Sequence, residues 1–194
     1  MLFMAHCSRD KGLFEAVEGA ILAQKKLQAA QSPIAIRLQV AGEFMNREEE
    51  AEFRQICGAV GRDVVEYVGF VSGERKRQLL EEADLFCFPS HLESFGLVLA
   101  EAMAFGLPIV TTRCGALPEV MTADYPGLVS VRAPEQIADA VLGMLHEQPF
   151  EWLRRRFETQ FTVERHLANL AAALRAMEGE ASQLGVQPVA IPAA

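Results

Sequence analysis

Cysteine is scarce and scattered in this chain. The four residues, Cys7, Cys57, Cys87 and Cys114, form no C-x-x-C pair. Structural zinc is therefore not expected, and the pattern fits reduced, buried thiols in a cytosolic protein. Long hydrophobic runs are missing as well. No stretch of 18 apolar residues occurs, so no transmembrane helix is expected. No basic-then-apolar leader precedes a small-residue cleavage site, which makes a soluble, cytoplasmic protein the expectation. Excess positive charge is also absent: 18 Lys and Arg against 26 Asp and Glu leave a formal charge of −8. That balance argues against broad binding to nucleic acid or anionic membrane, and any phosphate must be held by local donors. No G-x-G-x-x-G follows the first apolar stretch, so a dinucleotide oxidoreductase is poorly supported. Internal repeats are absent and hairpin signals are nearly so.

What remains is a regular alternation. The 194 residues, 51% of them hydrophobic, suffice for one domain with a sizeable core. A short apolar strand at Leu2-Phe3-Met4-Ala5 leads through Ser8-Arg9-Asp10-Lys11-Gly12 into a helix reaching about Ala30. Strands are expected at Ile34 to Val40, Val64 to Val68, Leu85 to Phe88, Ile109 to Thr112 and Leu128 to Val131. Helices are expected between them and then at about Pro134 to His146, Phe150 to Phe157 and Val163 to Met177. Strands separated by helices imply an α/β fold with a single Rossmann-like, doubly wound parallel sheet. The domain is expected to span 1–177, with a flexible tail at 178–194, where periodicity fades and Gly, Pro and Ala gather. Arg75-Lys76-Arg77 is the densest basic run and reads as a solvated helix face. His91, His146 and His166 show no partner pattern and read as surface or helix residues.

Residues 89–119, PSHLESFGLVLAEAMAFGLPIVTTRCGALPE, carry the most chemistry. Glu93 sits in the loop after an apolar strand, and Glu101 lies eight positions on, within a helix from about Gly96 to Phe105. Gly106 is a natural left-handed cap and Pro108 prevents the helix from resuming. Eight helical residues advance about 12 Å, which is close to the sugar-to-ribose separation in a nucleotide diphosphate sugar. Between the carboxylates, the N–H groups of Phe95, Gly96 and Leu97 form a helix amino terminus suited to phosphate or other polar oxygen. A buried amphipathic helix is the plainer alternative, but Glu93-Ser94-Phe95-Gly96 has no evident packing purpose.

This string resembles the E-x7-E region of the group 1 (family 4) glycosyltransferases, retaining enzymes of GT-B architecture. Pro89-Ser90, Glu93, Phe95-Gly96, Glu101-Ala102-Met103-Ala104, Gly106, Pro108, Gly115 and Glu119 stand where that family has them. The resemblance covers nearly all of Phe3 to Met177 and implies the C-terminal, donor-binding half of a GT-B fold. It implies that Lys11 and Glu93 act at the reacting centre, with Lys11 neutralising the donor diphosphate and Glu93 holding sugar hydroxyls. Ser94, Phe95, Gly96 and Leu97 would present the helix start to sugar and phosphate, and Glu101 would hold the ribose. Gly69, Phe70 and Val71 would lie along the base, although Phe70 reads equally well as core. The family's first-loop arginine falls on His6, and Arg9 is a possible substitute.

By the same resemblance the donor is a nucleotide diphosphate sugar, no obligatory metal or other cofactor is required, and a hexosyl group passes to an acceptor hydroxyl. The acceptor-binding N-terminal domain would come from a longer or a separate chain, so that this chain alone is expected to be inactive. Two other readings stay open: a non-catalytic nucleotide-sugar or partner-binding module that has lost turnover, and a sugar-nucleotide epimerase of related architecture.

Overall fold

A computed structural model describes residues 1–61, 63–145 and 151–183. Short apolar runs form the strands β1 (Leu2–Met4), β2 (Leu38–Ala41), β3 (Val65–Gly69), β4 (Phe86–Phe88), β5 (Ile109–Thr112) and β6 (Leu128–Val129). All pair in parallel, in the order β3-β2-β1-β4-β5-β6. This is the expected doubly wound arrangement. The helices between them are α1 (Leu13–Ala29), α2 (Arg47–Val60), α3 (Gly73–Glu82), α4 (Leu97–Ala104), α5 (Leu117–Met121) and α6 (Pro134–Met144). Strands buried on both faces need continuous apolar runs, and β1, β4 and β5 are buried at every position.

Local signals start and stop these elements. Asn46 caps α2, its side-chain oxygen accepting from the N–H groups of Glu48 (2.7 Å) and Glu49 (3.3 Å). The second strand begins at Leu38, later than the expected Ile34. Upstream, the Ile36 N–H donates to the Gln24 side chain at 2.6 Å instead of to a neighbouring strand, and Ile34 is exposed. Tyr125, fully buried, places its hydroxyl where the Ile109 N–H donates to it at 2.9 Å.

The chain divides into two compact units, Met1–Arg154 and Arg155–Ala194. The first carries the whole sheet. The helix α7 (Glu151–Gln160) crosses the boundary, and α8 (Val163–Gln183) lies in the second unit. Along α8, Val163, Leu167, Leu170, Leu174 and Met177 are exposed. The helix continues beyond Met177, where the tail was expected to start, and residues 184–194 lie outside the described residues. No helix among the described residues is long and apolar enough to cross a membrane.

Candidate functional site

Parallel pairing brings every strand's carboxyl end to one edge of the sheet, and open α/β sheets bind ligands there. A cavity of about 540 Å³ opens at that edge among the residues following β1, β2, β3 and β4 and the start of α4. A larger cavity, about 1050 Å³, lies at the other edge beside Met1, Arg37, Leu85 and Pro108. It holds none of the residues expected for the site.

Two loops far apart in sequence are stitched together beneath the first cavity. Gly12, at φ 72°, sits against the Pro89 carbonyl so closely that a Cβ would fall 2.0 Å from its oxygen. The His91 N–H (2.8 Å) and the Ser90 hydroxyl (3.1 Å) both donate to the Asp10 carbonyl. From the other side, the Thr112 hydroxyl and the Cys114 thiol donate to the Ser90 carbonyl. Gly115, at φ 49°, lies under the Glu93 carbonyl.

This scaffold aims Lys11 at Glu93. The Lys11 ammonium donates to Glu93 Oε2 at 2.8 Å, and the two side chains are only 28% and 14% exposed. The other oxygen, Oε1, accepts from the N–H groups of Ser94 (3.0 Å) and Phe95 (3.5 Å). Three donors thus converge on one carboxylate. Burial pushes the Glu93 carboxyl up, but the Lys11 hydrogen bond and charge, with the two N–H groups, outweigh it and hold it below the usual carboxylate range. The expectation of a free Phe95 N–H is therefore corrected, because Glu93 already occupies it. No acceptor for the Gly96 and Leu97 N–H groups is found among the described residues. The first N–H groups of any helix lack an intrahelical partner.

A second charged pair is anchored midway along α4. Lys76 Nζ donates to Glu101 Oε1 at 2.5 Å, with the two side chains 31% and 40% exposed. Lys76 also lines the cavity, so the expectation of a purely solvated basic run is corrected at this residue. Its neighbours fit the expectation: Arg77 pairs with Glu74 and Glu81 on the surface, and Arg75 with Gln78. A signal was present in the sequence. Lys76 lies three and four residues before the buried Leu79 and Leu80, on the inward face of α3.

Of the expected site residues, His6, Lys11, Phe70, Val71, Glu93, Ser94, Phe95, Gly96 and Leu97 all line this cavity. His6 is exposed, and its backbone is fixed on both sides. The Ala5 N–H donates to Ala41 (3.2 Å) and the Cys7 N–H to the Glu43 carbonyl (2.8 Å). Phe70 is 66% exposed, so it is not core. Glu101 joins the site through Lys76, while Gly69 ends β3 outside the lining. Arg9 is not brought in: its guanidinium pairs with Glu52 and lies 4.3 Å from the Phe14 ring centroid. His91 is no surface residue either. Its Nε2 lies 2.9 Å from Glu15 Oε1, and both side chains are largely buried. His166 is exposed on α8, and His146 lies outside the described residues.

The chain has relatives in sequence and in fold. The sequence model of the family Glycosyl transferases group 1 matches residues 1–160. An uncharacterized glycosyltransferase of Methanocaldococcus jannaschii is 31% identical over 152 residues, covering 77% of this chain and 36% of the relative. A GDP-mannose-dependent α-(1-6)-phosphatidylinositol dimannoside mannosyltransferase of Mycobacterium tuberculosis is 36% identical over 116 residues, 58% of this chain and 30% of that protein. Among solved structures, Anabaena HepE in complex with UDP and glucose superimposes with a TM-score of 0.75 at 21% identity, over 90% of this chain and 47% of that one. The chain spans about a third of the length of these two curated relatives.

Proposed function

The chain belongs to the group 1 glycosyl transferases, and on that premise we propose that residues 1–177 bind the nucleotide diphosphate sugar of a retaining hexosyl transfer to an acceptor hydroxyl. One observation carries the reading: a lysine and a helix amino terminus converge on Glu93 in the cavity that also holds Lys76 and, through it, Glu101. Lys11 and the N–H groups of Gly96 and Leu97 would balance the charge on the diphosphate as the leaving group departs, without an obligatory metal. Glu93 would hold sugar hydroxyls and Glu101 the ribose hydroxyls. Exposed Phe70, with Val71, offers an apolar surface for the base.

The acceptor side lies elsewhere in this reading. The chain corresponds to about a third of its curated relatives, and turnover would require an acceptor-binding domain from a longer or separate polypeptide. A cytoplasmic setting belongs to the same reading, supported by four free cysteines. The non-catalytic module is favoured by a different observation. Arg9 is committed to Glu52, which leaves Lys11 and His6 at the expected phosphate end. Turnover on supplying an acceptor domain would dismiss that alternative.

The test is thermal unfolding with UDP, GDP, ADP and their hexose conjugates, in the wild type and Glu101→Ala. At ten times Kd, binding adds about 1.4 kcal/mol, a rise of a few degrees. A rise with one base, lost in Glu101→Ala, is expected. No rise with any nucleotide would sink the proposal.

A further inference from the structure

Glu93 engages donors of its own pocket. Glu93 Oε2 takes the Lys11 ammonium at 2.8 Å, and Oε1 takes the Ser94 N–H at 3.0 Å and that of Phe95 at 3.5 Å. Of these donors, Lys11 is the one that an incoming phosphate would draw away. With its side chain only 14% exposed, the carboxylate has little water to fall back on if the donors are withdrawn. Across the pocket Lys76 is likewise held by Glu101, at 2.5 Å.

We propose that Glu93 acts as an internal stand-in for the donor and that exchange at the Lys11–Glu93 pair makes the pocket prefer an intact nucleotide diphosphate sugar over the spent nucleoside diphosphate. This rests on the proposed donor site. A nucleoside diphosphate draws Lys11 to its phosphates but brings no hydroxyl for Glu93 Oε2, so binding sets a largely buried carboxylate beside an anion with only the Ser94 and Phe95 N–H groups still on Oε1. Removing the cation from such a pair costs more than the pair contributes. An intact donor replaces both partners: phosphate oxygens for Lys11 and sugar hydroxyls for Glu93. Discrimination therefore arises from what the ligand restores. After transfer, Glu93 recaptures Lys11 and assists departure of the nucleoside diphosphate.

The experiment compares calorimetric Kd values for UDP with UDP-glucose, and GDP with GDP-mannose, in the wild type, Glu93→Gln and Lys11→Ala. In the wild type the intact donor binds more tightly than its own diphosphate. Glu93→Gln keeps the shape but removes the charge. It is expected to tighten the diphosphate and weaken the sugar conjugate, shifting their ratio by about tenfold or more, the equivalent of one charged hydrogen bond. Lys11→Ala should weaken both ligands. Equal changes for both ligands in Glu93→Gln, with binding retained, would overturn the exchange while leaving the donor site intact. A wild type that binds neither ligand of either pair overturns the donor site itself. Circular dichroism of each variant separates a misfolded chain from a real loss.

Discussion

Gly115 carries a positive φ of 49°, and a Cβ there would stand 1.8 Å from the Glu93 carbonyl oxygen. Backbone against backbone cannot yield as a side-chain tip can. Gly115→Ala is expected to cost roughly 1–3 kcal/mol in urea unfolding and to weaken nucleotide binding too, because the displaced loop is the one that carries Glu93. A loss of stability with unchanged affinity would separate the two roles. Acid titration probes Glu93 itself. Its carboxyl is held below the usual range, so its contribution to stability is complete above the ordinary glutamate value and is lost as pH falls through the depressed one. The stability difference between wild type and Glu93→Gln should shrink as the pH is lowered through and below the ordinary glutamate range. Urea midpoints at both ends measure it, and a constant difference would mean that the Lys11 pair contributes nothing. Residue-level legibility divided along a physical line. Lys11 and Glu93, expected from the resemblance of two local stretches, are brought together in one cavity. The pairing of Arg9, in the loop before α1, with Glu52 on α2, and that of His91 with Glu15 on α1, arises only when the folded chain brings distant segments together, and no periodicity announces it.

At the scale of elements, apolar runs bounded by glycine, proline and polar clusters placed the six strands of the described residues and the helices between them, because most strand positions are buried, β3 excepted, and the helices pack an apolar face inward. Boundaries were less legible. Ile34 and Ile36 are as apolar as any strand residue, yet the ladder starts at Leu38, since Gln24 on α1 takes the Ile36 N–H. Lys76 was missed for a related reason: a basic triplet reads as a surface run, whereas only its middle member lies on the face shared with Leu79 and Leu80. Packing between helices sets a further expectation. Gly19 on α1 meets Ile137 on α6, where a Cβ would lie 2.5 Å from the isoleucine Cγ2. Gly19→Ala should push the two helices apart and cost about 1–3 kcal/mol. Nucleotide affinity should hold, as neither residue lines the pocket. Unchanged unfolding would mean that Ile137 relaxes at no cost.

For the whole molecule, every residue lining the pocket falls between Met4 and Val98, while the family match runs to residue 160. A chain ended at Gln160 should therefore show the same nucleotide-induced rise in melting temperature as residues 1–194. Loss of that rise in a folded truncation would show that α8 shapes the site from a distance. The topology also has a consequence for how the protein is made. Strand β1 is central, pairing with β2 through Leu2 and Gln39 and with β4 through Leu2 and Phe86. A nascent chain can assemble β1, β2 and β3 early, but one flank of its first strand stays open until Phe86 has been synthesised. Non-local parallel pairing of this kind is slow and leaves unpaired edges exposed. During that interval Lys11 exists without Glu93, so the charged pair that lines the pocket forms only after the second half of the sheet has been made.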